Sequence, residues 1–322
     1  MASRKYKINT ELPVVDLVDA VDLESQRRVG KQLIESIENI GFFYVVGHRI
    51  DQTLVDRAFE SARAFFNLSE EHKARVTVNR SQRGWMRQGL TRLEGSANTD
   101  VKEVFFWGRE ISENDPEIRQ NLPLVALNQW PDDSLPGFKR DVLAYYSEVM
   151  ALGRLLLTCI ALGLNQNPAV FHRQYSKPLG RGQLVYYPPI TKADMANDAY
   201  SAAPHTDFGV LTILLQDSLG GLQAKHQNGD WVDVPPIEKS FICNIGDLLE
   251  RWTNGRLPST IHRVLNSSGK ERLSIPIFFD PDSDAVIDPK DFKLSQNQTT
   301  LPPVRAGEYI AGKNRQNFLH YK

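Results

Sequence analysis

Near residue 180 the chain changes its hydrophobic period. Upstream, apolar residues recur every three to four positions over long stretches; downstream they come in short runs rich in Val, Ile, Tyr, Phe and Thr, parted by Pro, Gly, Asn and Asp. The first period suits amphipathic helices and the second suits half-buried strands. The downstream runs predict strands at Leu184 to Tyr187, Val210 to Leu215, Gly221 to Ala224, Trp231 to Val234, Ser240 to Ile245, Ile261 to Leu265 and Leu273 to Phe279. Short strands at regular spacing, with turn signals between them, predict a sandwich, barrel or jelly roll. The fold class expected is therefore mixed α and β, with helices first and a β-rich core after them.

Before the switch, Leu12 to Leu17 reads as an opening strand. Val29, Leu33, Ile37 and Ile40 share one face of a helix over Asp22 to Ile40, which Gly41 ends. Phe42 to Val46 reads as a strand, and a second helix covers Asp51 to Phe66. A long helix is predicted from Phe138 to Leu164, where Val142, Tyr146, Val149, Leu152, Leu156 and Ile160 keep a helical period. The stretch from Arg80 to Pro136 shows no clear period, and no role is assigned to the tail after Pro303. With no repeat or linker, the 322 residues read as one elaborated domain: a leading mixed region over 10–135, the supporting helix over 138–164 and the core over 181–290.

The chain carries 38 basic and 39 acidic residues, so no basic excess points to a nucleic-acid partner. Cys159 and Cys243 lie in apolar runs, where a thiol behaves as a small buried hydrophobe. Met1 to Thr10 is polar and lacks the apolar core of a secretory signal. The longest apolar run, Leu155 to Leu164, is about half of what a membrane span needs. These features predict a cytoplasmic protein with no membrane and no obligatory protein partner.

Of seven histidines, His205 and His262 fall at the edges of predicted strands. In His205-Thr206-Asp207 an imidazole and a carboxylate stand two positions apart, which on an extended strand puts both on one face. Two histidines and one carboxylate leave half of a metal's coordination sphere open, the arrangement suited to Fe(II) that must also take a cosubstrate and O2. His48, His72, His172, His226 and His320 have no such partner and read as surface or structural residues. Ten residues past His262, Arg272 and Ser274 share one face of a strand, and a guanidinium with a hydroxyl suits a carboxylate.

Together Pro204 to Asp217, Gly220-Gly221-Leu222-Gln223, Asn244-Ile245-Gly246-Asp247, Ser259 to Val264 and Arg272-Leu273-Ser274 resemble, in order and spacing, the isopenicillin N synthase-like branch of the 2-oxoglutarate and Fe(II)-dependent oxygenases. Leu12 to Leu17, Gly41 to His48 and Lys102-Glu103 are similar to that branch's leading region. The resemblance implies a double-stranded β-helix, or jelly roll, with the long helix outside it. It implies that His205, Asp207 and His262 ligate Fe(II), and that Arg272, Ser274 and Tyr187 hold the far carboxylate of the cosubstrate 2-oxoglutarate. Plant members usually carry Asn two positions before that tyrosine, where this chain has Val185, which suggests a microbial type.

The activity implied is a dioxygenase that hydroxylates, desaturates or cyclises a small molecule of secondary or amino-acid metabolism, releasing succinate and CO2. No catalytic side chain is required beyond the metal ligands. Two alternatives stay open: an Fe(II)/O2 oxidase of the same fold that does not use 2-oxoglutarate, and a non-catalytic metal-binding sensor. For the substrate, Arg87, Phe105, Trp107, Phe208 and Phe279 are expected around the mouth, with Arg83, Trp85 and Phe106 from the same segments.

Overall fold

A computed structural model describes residues 12–92, 98–190, 200–292 and 301–321; Met1 to Thr10, read above as polar, lies outside them. The opening strand is β1 (Val14–Asp16). The first helix, Leu23–Ile40, starts at a capping box in which Asp22 accepts from the Ser25 amide and Ser25 returns to the Asp22 backbone. It ends at Gly41, whose φ of 72° needs a glycine. A Cβ there would sit 2.3 Å from Thr260 Oγ1, so this turn also fixes the segment that leads into His262. The strand β2 (Phe42–Val46), the second helix (Gln52–Phe66) and the long helix (Phe138–Gly163) follow the predicted bounds closely.

Two strands occupy the stretch that showed no period, β3 (Gly84–Met86) and β4 (Glu103–Trp107). Then come β5 (Arg181–Tyr187), β6 (Ala202–His205), β7 (Leu211–Gln216), β8 (Leu222–Lys225), β9 (Trp231–Asp233), β10 (Phe241–Ile245), β11 (His262–Val264) and β12 (Arg272–Phe279). They form an eight-stranded sheet in the order β1, β2, β10, β7, β12, β5, β4, β3, and a four-stranded sheet in the order β6, β11, β8, β9. Only the β1–β2 pair is parallel in the large sheet. The two sheets face each other as the layers of a jelly roll.

Strand alternation divides the interior into two layers. Phe43, Val45, Phe105, Trp107, Leu184, Leu273 and Phe279 turn outward to the helices, in one core with Leu33, Ile37, Val149 and Leu156. Phe42, Tyr44, Val104, Phe106, Val185 and Tyr187 turn inward, toward Ala202, Leu222, Ala224 and Val264 of the small sheet. The expectation that Phe105, Trp107 and Phe279 line the mouth is corrected by this alternation. A Cβ on Gly182 would meet the Trp107 ring at 2.2 Å, and one on Gly153 of the long helix would meet the Phe279 ring at 2.6 Å, so both rings are locked on the helical side.

The long helix is apolar and long enough to cross a bilayer by composition, but it packs on the first and second helices and on the large sheet as the central core helix. Cys159 and Cys243 are free and buried, as the apolar runs predict, and burial pushes the Cys159 thiol up to about 12.

Candidate active site

His205 is the last residue of β6 and His262 the first of β11, and the ladder pairs them directly. Their ring centroids are 4.3 Å apart. Asp207 lies past the end of β6, not on an extended strand as the two-residue spacing suggested. Its backbone carbonyl instead accepts from the Asp247 amide at 2.7 Å, which docks the loop on the start of the helix Asp247–Trp252. Close approach of the two backbones demands Gly246, where a Cβ would stand 2.4 Å from the Gly209 carbonyl oxygen.

One donor atom from each of His205, Asp207 and His262 lies within 4.8 Å of the others, and His262 Nε2 stands 3.7 Å from Asp207 Oδ1. Each imidazole is oriented by a carbonyl: Nδ1 of His205 donates to Ala203 O at 2.6 Å, and Nδ1 of His262 donates to Thr260 O at 3.0 Å. A carbonyl can only accept, so Nδ1 carries a hydrogen and Nε2 is the nitrogen left to face the cluster. Asp207 Oδ2 accepts from Thr212 Oγ1 at 2.5 Å and from Asn244 Nδ2 at 2.7 Å, leaving Oδ1 toward the histidines.

The electrostatics favour the ligating forms. Burial, and then the neighbouring His262, lower His205 to about 3, which keeps its ring neutral. Burial alone would raise Asp207, but His262, His205, Asn244 and Thr212 together hold its carboxyl below the ordinary value. The neutral His205 ring, the His262 ring beside it and one carboxylate fit a divalent iron.

Next to this cluster is an inner cavity of about 80 Å³ whose wall includes Tyr187, Val185, His262, Arg272 and Ser274. Arg272 and Tyr187 are cross-strand partners, with the guanidinium 4.8 Å from the ring centroid. Arg272 Nε donates to Gly220 O at 2.6 Å and Nη2 to Gln216 Oε1 at 3.0 Å. Its Nη1 is buried without a hydrogen-bond partner among the described residues. A buried cationic donor left unpaired is costly, so this atom calls for an anion, which a carboxylate supplies.

An outer cavity of about 70 Å³ shares Lys102, Gln183, His205, Asp207 and Phe278 with the inner one and adds Phe106, Phe208, Asn314 and Phe318. Of the aromatic residues named for the substrate, Phe208 lines this outer cavity. Arg87 is exposed just after β3 and lines neither cavity, because the chain turns outward as that strand ends. Arg83 is buried in a structural role, donating to the carbonyls of Ser81, Gln82 and Leu124. Asn314 and Phe318 come from the helix Ala306–Asn317 and the residue after it, in the tail to which no role was assigned. Phe318 reaches the mouth because it bridges to Thr91.

Residues 12–133 match the family described as non-haem dioxygenase in morphine synthesis, N-terminal, and residues 160–281 match the 2OG-Fe(II) oxygenase superfamily. The homoarginine-6-hydroxylase of Glycine max is 33% identical over 302 residues, covering 90% of this chain and 89% of that protein. The chain belongs to the 2-oxoglutarate/Fe(II)-dependent oxygenase superfamily. Its resemblance to the isopenicillin N synthase-like branch is consistent with both matches. A 2-oxoglutarate-Fe(II) type oxidoreductase of Emericella nidulans is 32% identical over 319 residues, covering 96% of this oxygenase and 91% of the relative. A 2OG-Fe(II) oxygenase family protein from Caulobacter crescentus superposes with a TM-score of 0.83 at 30% identity, over 95% of this chain and 99% of that one. A Neurospora crassa protein crystallised with alpha-KG and thymine superposes with a TM-score of 0.82 at 26% identity, over 94% and 96%. This oxygenase is thus an oxidoreductase that uses Fe(II), 2-oxoglutarate and O2 on a small-molecule substrate.

Proposed function

We propose that His205, Asp207 and His262 hold the iron, that Arg272, Ser274 and Tyr187 hold the far carboxylate of 2-oxoglutarate in the inner cavity, and that the substrate enters the outer one. The buried, unpartnered Nη1 of Arg272, in a cavity that also reaches the three ligating side chains, is the observation that carries this reading. Bound iron and 2-oxoglutarate supply the oxidising chemistry, drawing on O2 and releasing succinate and CO2. The protein's own residues orient and exclude. The carbonyls of Ala203 and Thr260 aim the two Nε2 atoms, and Thr212 and Asn244 aim Asp207. Phe106, Phe208, Phe278 and Phe318 surround the substrate space with apolar rings that keep water out.

The substrate class we favour is a secondary-metabolite or amino-acid-derived small molecule. A Glycine max relative named for homoarginine and a Neurospora crassa neighbour crystallised with thymine both support a compound of that size. We further propose cytoplasmic action on a free small molecule, without a membrane, nucleic acid or obligatory protein partner, in keeping with the two free thiols and the net charge of -1. The region 10–135, the helix 138–164 and the core 181–290 are read as parts of one domain, a reading supported by β2 and β4 pairing into the same sheet as β5, β7, β10 and β12.

An anaerobic titration tests the assignment. Fe(II) and 2-oxoglutarate added to the protein should produce the visible charge-transfer band of the chelate, and Asp207→Ala should abolish both the band and succinate formation. Arg272→Leu should raise the 2-oxoglutarate concentration for half-saturation by about ten- to a hundred-fold, the worth of a charged hydrogen bond. A full band in Asp207→Ala would remove the assignment of the metal site.

A further inference from the structure

This inference rests on the outer cavity being the substrate's. Two polar side chains stand on the border of both cavities, Lys102 and Gln183. Lys102 Nζ is 2.8 Å from Asp100 Oδ2, with the lysine side chain 13% exposed and the aspartate 1%. Asp100 Oδ1 accepts from the Ala203 amide at 3.0 Å, so the pair is tied to the strand that ends in His205. An ammonium has three N–H donors, and one ion pair leaves donors to spare. Gln183, on β5, makes no side-chain hydrogen bond among the described residues.

Most other polar groups of the outer cavity are occupied, although Asn314 Oδ1 has no hydrogen-bond partner among the described residues and, as an acceptor, cannot bind an acceptor oxygen. Arg181 is 2.9 Å from Asp280 Oδ2, Thr91 donates to Met86 Sδ at 3.7 Å, and Asn314 Nδ2 donates to Gln82 Oε1 at 2.9 Å. Nearly all the rest of the wall is aromatic or aliphatic, with Val104, Phe106, Phe208, Phe278 and Phe318. Aromatic walls of this kind favour a flat ring offered face or edge. The cosubstrate has its own cationic donor at Arg272, so Lys102 is not needed for it.

We propose that Lys102 and Gln183 are substrate-binding residues, and that the substrate is a ring compound whose acceptor oxygen, a carbonyl or carboxylate, docks on the Lys102 ammonium. Gln183 reads the group beside that oxygen, because its amide can donate and accept. The docked oxygen holds the edge of the ring beside His205 and Asp207.

The test uses the full-length protein loaded with Fe(II) and 2-oxoglutarate without oxygen. Phenylacetate, phenylacetamide and ethylbenzene are titrated in, and binding is read as perturbation of the chelate band. In the unaltered protein the two oxygen-bearing probes should half-saturate at concentrations about tenfold or more below ethylbenzene, the effect of one charge-assisted hydrogen bond. Whichever of the two binds more tightly identifies the substrate group as charged or neutral.

Lys102→Met alone would leave Asp100 buried and unpaired, so the informative variant is the double Asp100→Asn/Lys102→Met, which keeps an acceptor for Ala203. It should bind 2-oxoglutarate normally and lose the tenfold preference, and Gln183→Leu should narrow the preference for phenylacetamide. Equal binding of all three probes to the unaltered protein would overturn the proposal, as would a preference that survives in the double variant. A loss of 2-oxoglutarate affinity in the double variant would assign the lysine to the cosubstrate and overturn it too. Absence of the chelate band in the unaltered protein would instead overturn the cosubstrate reading on which this one rests.

Discussion

A carboxylate that is to offer one oxygen to a metal needs its other oxygen occupied. In this oxygenase that task falls to Thr212 on β7 and Asn244 on β10, whose donors both end on Asp207 Oδ2. Replacing Thr212 by Val keeps the shape and removes one donor. Partners of metal ligands commonly change affinity by ten- to a hundred-fold, so Thr212→Val should weaken Co(II), a spectroscopic stand-in for Fe(II), by about tenfold, and Asn244→Ala by somewhat more. Unchanged Co(II) binding in both variants would mean that the loop docked on Asp247, not these donors, orients the carboxylate. The triad itself was legible because histidine is scarce here and the ladder needs only two strands to bring the rings together. The partners of Asp207 were not, since a threonine and an asparagine in strand-like runs carry no sign of where their side chains will point. Asn244 stood in a quoted motif, yet with no role attached.

The first helix crosses the long helix with almost no separation, and two glycines make that possible. A Cβ on Gly30 would lie 2.1 Å from the Cys159 carbonyl oxygen, and one on Gly163 would lie 2.3 Å from the Gly30 carbonyl oxygen. Gly30→Ala must therefore push the helices apart, and it should lower the unfolding free energy in urea by about 2 kcal/mol or more, at the upper end of what overpacking costs. Gly312→Ala is the control: its Cβ meets only Arg315 Nη2, at 3.8 Å, and it should gain about 0.5–1 kcal/mol from helix propensity. Equal effects in the two variants would sink the argument. Helix bounds could be read because the apolar period is long and Asp22 and Gly41 mark its ends. A contact between helical glycines could not, because in one sequence such a residue reads as a weak point. The same holds for β3 and β4, where Gly-Trp-Met and Glu-Val-Phe-Phe-Trp are buried on both faces and so show no alternation. For β6, Ala-Ala-Pro-His looks unlike a strand, and the proline is tolerated because β6 is an edge. Missing β4 is what made Phe105 and Trp107 look as available to the substrate as Phe106, and left Val104 unnoticed.

Across the whole molecule, four imidazoles are held neutral by their surroundings, and that sets how stability responds to pH. Burial lowers His205 to about 3 and His320 to about 4, and it lowers His48 and His172 from their ordinary value of 6.5 as well. His320 sits between the rings of Phe318 and Tyr321, and neither of its nitrogens has a partner among the described residues. Because the folded values lie below the unfolded ones, the unfolded chain takes up protons between about pH 4 and 6.5 that the folded chain refuses. Stability is then complete above the ordinary histidine value and is lost as the pH falls through this window. The urea midpoint of the metal-free protein should be highest near neutrality and decline steadily toward pH 5, and His320→Gln should flatten part of that decline. A midpoint that is constant or rises on acidification would show that these rings are hydrated in solution. The same burial that keeps the His205 ring neutral, as the proposed iron site requires, thus makes the empty protein sensitive to acid, and bound Co(II) should raise the midpoint across this window by mass action without removing the decline, because a ligated His205 takes up no proton either.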